Sequence, residues 1–220
     1  MRLRAYLGVS ERRQRQLSWL LEVALVGFVF IGLDRGNTGI VVNALLGLAV
    51  TQLPPLLERD YDIAMDTALV LWISAAVFLH ALGTVGVPGS GLSFYQSVWW
   101  WDHLTHALSS SIVAGVGYAF VRAVQEHTTD VWLPPLFTFV FILMVVVAFG
   151  VFWEVIEFAI GRLGAVLGAD AVLTQYGLED SMKDLLFNAL GAVVVAVWGT
   201  AHLAALSGGL AGLLERRAGG

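Results

Sequence analysis

The stretch LPPLFTFVFILMVVVAFGVFWEVIEFAI, residues 133–160, decides the fold class of this chain. Its only charged side chains are Glu154 and Glu157. About 20 consecutive apolar residues are enough for a helix to cross a bilayer, so the segment predicts a transmembrane helix. The two glutamates need an explanation of their own. An ionisable group at the centre of a membrane helix costs about 2.5–3.5 kcal/mol on insertion scales, so such groups usually face a bundle interior and mark a site.

The composition of the whole chain agrees with this prediction. Of its 220 residues, 58% are hydrophobic and only 13% are charged, and the mean hydropathy is +0.78. Water-soluble domains carry about 25% charged residues, so the composition indicates an integral membrane protein. The chain has no cysteine, which excludes disulfides, thiolate nucleophiles and cysteine metal ligands. No basic domain or zinc-finger spacing is present, so we expect no nucleic-acid partner.

Six apolar segments are long enough to span a bilayer, and together they predict an all-α, polytopic membrane helical bundle. They are residues 17–33, 39–57, 65–87, 102–123, 133–160 and 182–206. Arginines precede the first segment as in a signal peptide, but no small-x-small cleavage site follows it, so we expect it to be a retained helix. The same division leaves a basic N-terminal segment at 1–16 and a C-terminal tail at 207–220.

The distribution of arginine and lysine between the loops predicts the orientation of the bundle. With the N-terminus in the cytoplasm, the cytoplasmic side carries nine of them: Arg2, Arg4, Arg12, Arg13, Arg15, Arg59, Arg122, Arg216 and Arg217. The other side carries three: Arg35, Arg162 and Lys183. This split follows the positive-inside rule, so we expect a multi-pass protein of the cell membrane with both termini cytoplasmic. Trp99, Trp100 and Trp101 would then form part of an outer aromatic belt.

Three polar strings lie in or beside the apolar segments. They are WDHLTH at 101–106, WEVIE at 153–157 and EDSMKDLLFN at 179–188. In the predicted orientation all three lie near the outer ends of their helices. We therefore predict one polar site in the outer leaflet, formed by Asp102, His103, His106, Glu154, Glu157, Asp180 and Asp184, with His80 and Asn188 beside them.

The spacing within each string indicates what such a site could bind. Residues three or four apart share a helix face, as Asp102 and His106 do, and Glu154 and Glu157. Carboxylates and imidazoles on facing helices are the ligands from which helical bundles build sites for zinc, manganese, iron or magnesium. We therefore take seven side chains as candidate metal ligands and expect them to converge between the last three helices. They are His106, His103, Asp102, Glu154, Glu157, Asp180 and Asp184.

Structural explanations compete with this interpretation. Asp102 and Asp180 could each be the N-cap of the helix that they open, where Asp is favoured. Glu154 and Glu157 are less easily explained in this way. We expect them in the last turns of the fifth helix, where the helix dipole disfavours negative charge. These two carboxylates should therefore need a cation, a proton or a hydrogen-bonded partner.

Four stretches carry a resemblance to a known family: WLLEV (19–23), WDHLTHALSSSIVAG (101–115), FWEVIEF (152–158) and LTQYGLEDSMKDLLFNALGA (173–192). They resemble the YjdF-like family of small bacterial and archaeal inner-membrane proteins. The D-x-x-x-H, E-x-x-E and D-x-x-x-D helices are more distantly similar to VanZ-like proteins, which are associated with the cell envelope. The resemblance implies a polar signature of Asp102, His106, Glu154, Glu157, Asp180 and Asp184, with Glu22 as a further family position. His103 stands where the family usually has lysine.

These observations favour a metal-dependent membrane hydrolase or transferase that acts on a lipid or envelope precursor. A bound divalent metal can generate a hydroxide nucleophile from water, and Glu154, Glu157 and Asp102 are the candidate catalytic groups. The expected partners are membrane lipid and a lipid-like substrate. Two other functions stay open at this point. One is a proton- or ion-coupled transporter or channel subunit, and the other is a membrane assembly or structural partner protein.

Overall fold

The computed structural model of the chain describes residues 9–87, 89–127, 132–167, 172–173, 175, 177–198 and 204–218. These residues form helices and no β-strand; one isolated antiparallel bridge joins Gly86 to Ser93. The helices are α1 (Glu11–Asp34), α2 (Thr38–Thr51), α3 (Leu53–Tyr61), α4 (Thr67–Thr84), α5 (Phe94–Ser97), α6 (Trp101–His127), α7 (Pro135–Leu167), α8 (Leu178–Trp198) and α9 (Ala204–Ala218).

Five segments among the described residues are long and apolar enough to cross a membrane. They are Glu11–Asp34, Thr38–Tyr61, Thr67–Thr84, Trp101–His127 and Pro135–Val166. The prediction of an all-α polytopic membrane bundle is therefore confirmed. The sixth predicted span, 182–206, includes residues 199–203, which lie outside the described residues. Helix α8 covers its first part, and α9 begins at Ala204.

Prolines determine where two of the helices begin. Helix α2 ends at Thr51, and Pro54 and Pro55 lie in the first turn of α3. Helix α7 begins at Pro135. The first turn of a helix tolerates proline because its N–H groups have no intrahelical acceptor. The predicted span 39–57 is consequently two helices rather than one.

Helix α6 is central to the part of the bundle that carries the polar strings. It packs against α4, α7, α8 and α9, and its contact with α8 is the most extensive between any two helices described. Gly191 of α8 lies so close to Ala107 and Ser110 of α6 that a Cβ atom there would have no space. This close approach brings the first turns of α6 and α8, with their polar residues, side by side.

The tryptophans before α6 differ from the prediction in part. Trp99 is 81% exposed, whereas Trp101 is only 8% exposed. The indole Nε1 of Trp101 donates a hydrogen bond to the carbonyl oxygen of Leu79 at 3.2 Å, and its ring packs on Phe94. Trp101 therefore anchors α6 to α4, and only Trp99 and Trp100 are available to an aromatic belt.

The C-terminal segment is also more ordered than a tail. Helix α9 packs against α6, and Gly209 lies against Ile63 in the turn between α3 and α4. Arg216 Nη2 donates a hydrogen bond to the carbonyl oxygen of Tyr61 at 2.7 Å. The chain thus returns to the same end of the bundle that carries the turn after α3.

Candidate functional site

The three polar strings meet around a single histidine, His106. The potential ligand atoms of Asp102, His106 and Asp184 all lie within 4.8 Å of one another. Those of His106, Glu154 and Glu157 also lie within 4.8 Å of one another. The five side chains come from α6, α7 and α8, so the structure brings together residues that are far apart in sequence. What these residues do stays a prediction.

The two ring nitrogens of His106 have different surroundings. Nδ1 lies 3.3 Å from Oδ1 of Asn188, so a proton on Nδ1 is donated to that amide oxygen. Nε2 lies 3.5 Å from Oδ1 of Asp102 and 3.8 Å from Oδ2 of Asp184. In this tautomer the Nε2 lone pair faces two carboxylate groups. A metal-binding histidine is typically held in this way, with its other nitrogen donating to an oxygen.

The carboxylates of the site are buried, and some of their oxygen atoms have no hydrogen-bond donor within the described residues. Asp184 is 1% exposed, Glu154 is 7% exposed and Glu157 is 9% exposed. Within the described part of the chain, no hydrogen-bond donor reaches Oδ1 of Asp184 or Oε1 of Glu154. Buried polar atoms are almost always hydrogen-bonded, because leaving one unpaired is costly and leaving a charge unpaired is more costly still. The cluster therefore requires positive charge, from protons or from a cation.

Two side chains outside the predicted set orient the glutamates. Gln175 donates from Nε2 to Oε2 of Glu154 at 3.2 Å and to the hydroxyl of Ser181 at 2.8 Å. Trp153 donates from Nε1 to Oε1 of Glu157 at 3.0 Å. In Glu154 this leaves the other carboxylate oxygen free to face the cluster. The sequence gives an indirect indication of the contact between Trp153 and Glu157. The two residues are four apart in one helix, so they lie on the same face.

His103 and Asp180, two of the predicted ligands, lie beside the cluster, and neither belongs to the two ligand groups. The ring of His103 stacks on Phe187, with centroids 4.5 Å apart and planes 2° from parallel. Its Nδ1 is 3.7 Å from Oδ1 of Asp184, too far for a hydrogen bond. His103 therefore lies next to Asp184 without completing the same ligand group as His106.

His80 reaches the same region but has no nitrogen available for a ligand. Its Nε2 lies 3.1 Å from Oδ1 of Asn43, and its Nδ1 lies 2.9 Å from the hydroxyl of Tyr95. Asn43 also donates to the carbonyl oxygen of Val172 at 3.0 Å. These contacts tie α2, α4, α5 and the segment before α8 together. His80 thus supports the architecture around the site.

Two of the structural explanations offered by the sequence are wrong. Helix α6 begins at Trp101 and α8 begins at Leu178, so Asp102 and Asp180 lie inside the first turn and are not N-caps. Helix α7 continues to Leu167, so Glu154 and Glu157 are not in its last turns. The helix dipole therefore does not disfavour their charge. The two glutamates require partners because they are buried next to other carboxylates.

A cavity of about 420 Å³ leads to one side of the cluster. Asp102, His106 and Glu157 line it, whereas Asp184 and Glu154 are not among its lining residues. Its other lining residues include the segment between α4 and α6, the start of α2 and Arg35. The cluster therefore has an open side, formed by Asp102 and Glu157, and a closed side, formed by Asp184 and Glu154.

Comparisons with known proteins agree with the membrane character of the chain. A family model described as predicted membrane protein (DUF2238) matches residues 16–205. A Thermotoga maritima protein described as uncharacterized is 31% identical over 126 residues, which is 57% of this chain and 58% of that protein. The chain thus matches little more than half the length of this relative. No solved structure matches the chain.

Proposed function

Since this chain belongs to the predicted membrane protein family DUF2238, we propose that it is a YjdF-like, metal-dependent membrane hydrolase or transferase that acts on a lipid or envelope precursor. The more distant relation to VanZ-like proteins rests only on the spacing of the polar residues. One observation carries the proposal. Nε2 of His106 lies 3.5 and 3.8 Å from the carboxylates of Asp102 and Asp184, and within the described residues no donor reaches Oδ1 of Asp184 or Oε1 of Glu154.

A divalent cation meets the requirements of this cluster better than protons do. Without a cation, several carboxylates would each have to carry a proton. Each protonated oxygen would then be a donor and would need a hydrogen-bond acceptor along its O–H direction. One cation between the helices satisfies the His106 lone pair and the carboxylate oxygens together. Imidazole and carboxylate ligands without thiolate suit zinc, manganese or iron, and a mainly carboxylate set suits magnesium. The group of Asp102, His106 and Asp184 supports such a centre, and Glu154 belongs to the second group that includes His106.

The open and closed sides of the cluster indicate a division of roles. A bound divalent cation would supply a polarised substrate oxygen or a metal-bound hydroxide. Asp184 and Glu154, on the closed side, would hold the ion together with His106 and Asp102. Glu157 lines the cavity, where it can exchange protons with a substrate or water. The hydrogen bond from Trp153 fixes one oxygen of Glu157 and leaves the other for that exchange.

The cavity lies near one end of the membrane helices. The segment between α4 and α6, which joins two of these helices, contributes to its wall. We place this wall at the outer face of the cell membrane, because that orientation puts nine of the twelve arginine and lysine residues on the cytoplasmic side. A lipid-like molecule in the outer leaflet could then present its headgroup to Asp102, His106 and Glu157.

Measuring the metal content of the purified protein tests this proposal. Elemental analysis of the detergent-solubilised chain should find about one divalent ion per protein molecule, as expected of a catalytic centre with protein ligands and one open position. His106→Ala should lose the ion. Glu179→Gln is the matched control, because Glu179 is an exposed carboxylate of the same helix α8 that pairs with Lys183 at 2.7 Å. A chain that is free of metal and keeps its full thermal stability in a chelator would overturn the metal centre.

Cysteine labelling tests the orientation with little background, because the natural chain contains no cysteine. Ser90 and Glu58 are both exposed and lie in the segments predicted to be outside and inside. In intact cells an impermeant thiol reagent should label Ser90→Cys and spare Glu58→Cys. Permeabilised cells serve as the control in which both should react. Labelling of Glu58→Cys alone in intact cells would invert the bundle and move the site to the cytoplasmic leaflet.

The transporter alternative receives less support from the packing. A proton pathway needs a chain of polar groups that donate to one another across the bundle. Below the cluster, Ser110 and Ser111 of α6 donate to carbonyl oxygens of their own helix, and Ser74 of α4 does the same. Each hydroxyl thus donates within its own helix. Ser111 also accepts a hydrogen bond from Nε1 of Trp72 in α4 at 2.8 Å, but an indole N–H does not pass protons on. The site therefore fits chemistry at one face better than passage through the bundle.

A further inference from the structure

Residues of opposite charge line the cavity that leads to the cluster. Two of them are the carboxylates Asp102 and Glu157, which lie in the same cluster as His106. A third is Arg35, which is the only arginine or lysine among the described residues that line the cavity. The proposed function explains the carboxylates, which would hold a cation. It does not explain the guanidinium.

Arg35 is an exposed residue, and its backbone is fixed by the end of α1. It caps the C-terminus of α1, where its N–H donates to the carbonyl oxygen of Ile31 at 3.0 Å. Its Nη1 atom passes Gly86 so closely that a Cβ atom on Gly86 would lie 3.4 Å from it. Gly86 in turn pairs with Ser93 in the isolated bridge. The side chain therefore lies against an ordered part of the cavity wall.

Arg35 forms no ion pair with any other residue in the described part of the chain. Gln96, which also lines the cavity, is a second donor. Its Oε1 accepts a hydrogen bond from Ser93 N at 3.0 Å, so its remaining hydrogen-bonding capacity is that of the amide N–H₂ group. A cavity lining that includes a guanidinium and an amide N–H₂ is suited to an anion rather than to a cation.

We infer that this cavity binds a phosphate group between Arg35 and the metal centre, so that the substrate of the site is a phosphate ester. The inference rests on the proposed metal at His106. A phosphate has oxygens on several sides, so one can approach the cation while others accept the forked N–H donors of arginine. A cation on one side and an arginine on the other is also the arrangement that enzymes use to stabilise charge on phosphoryl groups.

The same geometry predicts that metal and phosphate bind cooperatively. Without a cation, the carboxylates of Asp102 and Glu157 repel an anion in the cavity. With a cation bound, the repulsion becomes attraction, so each ligand should raise the affinity for the other by the same factor. The phosphate could belong to a lipid headgroup or to a soluble ester. Both present the same chemistry to Arg35, and only binding experiments with both kinds of probe distinguish them.

The test measures phosphate binding to the full-length chain in detergent, with and without added divalent metal. The probes are inorganic phosphate, inorganic pyrophosphate and mixed micelles that contain phosphatidic acid, with phosphatidylcholine micelles as the neutral reference. We expect Arg35→Gln to weaken binding by roughly tenfold or more, the usual size of a charge-assisted hydrogen-bond contribution. Arg35→Lys should recover part of the loss. Arg162→Gln, which changes an exposed arginine outside the cavity, should bind like the natural chain.

The outcomes separate this inference from the proposed function. A response to phosphatidic acid alone supports a lipid headgroup, and a response to the inorganic anions supports a soluble ester. If the metal is present but no phosphate probe binds, or if Arg162→Gln loses as much as Arg35→Gln, the phosphate site is wrong while the metal centre stands. If no metal is found but phosphate binding still depends on Arg35, the metal centre is wrong and the anion site stands. The metal content of Arg35→Gln should equal that of the natural chain, which shows that the cluster is intact.

Discussion

Replacing Asp184 by asparagine is expected to abolish metal binding and, at the same time, to leave the metal-free protein at least as stable as the natural chain. Asp184 is the most deeply buried carboxylate of the cluster, and its Oδ1 has no donor within the described residues. Asparagine has the same shape without the charge. In the absence of metal the substitution therefore removes repulsion from Asp102 and Glu154, while in its presence it removes a ligand.

The size of the effect follows from ligand linkage. An ion that binds only the folded state stabilises it by about 4 kcal/mol when its concentration is a thousand times the dissociation constant. Thermal unfolding of the natural chain should therefore shift strongly between metal and chelator, whereas Asp184→Asn should unfold at one temperature in both. Glu179→Gln should behave like the natural chain.

The opposite result would identify a structural role for Asp184. His103 and His106 both approach it, at 3.7 and 3.8 Å, so an ion pair with a protonated histidine could hold α6 to α8 without metal. In that case Asp184→Asn would lose stability in chelator as well as in metal, because a protonated histidine would remain buried and unpaired. Such a loss, together with an absence of metal from the natural chain, would favour the structural interpretation of the whole cluster.

The sequence was sufficient to predict the fold class and the meeting of the three polar strings, for a simple physical reason. A bilayer forces the backbone into helices of a set length, so the depth of a residue can be read from its distance to the end of an apolar run. Asp102, Glu154 and Asp184 were assigned to one depth in this way. Their burial against one another follows, since polar groups at that depth avoid lipid.

The parts of the site that sequence reasoning missed lie in or near the connecting segments. Gln175 and Arg35 are not in apolar runs, and no periodicity indicates where a connecting segment folds back over a helix bundle. For His80, the sequence predicted the position but not the hydrogen-bond partners. Its depth was predicted, but its availability depends on Asn43, 37 residues away, and on Tyr95 in the short helix α5. Depth can be read from hydropathy, whereas hydrogen-bond partners require the packing of the helices.

The contact between α6 and α8 holds Asp184 opposite His106, and Gly191 controls how closely these helices approach. A Cβ atom on Gly191 would overlap the carbonyl oxygen of Ala107. This oxygen belongs to the helix backbone, so no change of side-chain rotamer can move it away. It would also lie 3.1 Å from the backbone nitrogen of Ser111. Any side chain at this position must therefore push the two helices apart, which distinguishes Gly191 from glycines that face open space.

We expect Gly191→Ala to destabilise the protein by about 1–3 kcal/mol, the usual cost of forcing a methyl group into a filled contact, and Gly191→Leu to cost more. Both should also weaken metal binding, because Asp184 lies two turns along α8 and moves away from His106 as the helices separate.

Gly27→Ala is the matched control, since nothing lies within 4 Å of a Cβ atom at Gly27 in α1. It should be neutral or stabilising by up to about 1 kcal/mol, as alanine is the better helix former. Thermal unfolding in detergent, repeated with metal and with chelator, measures both effects. Equal stability of Gly191→Ala and Gly27→Ala would contradict the close packing of α6 on α8 on which the site depends.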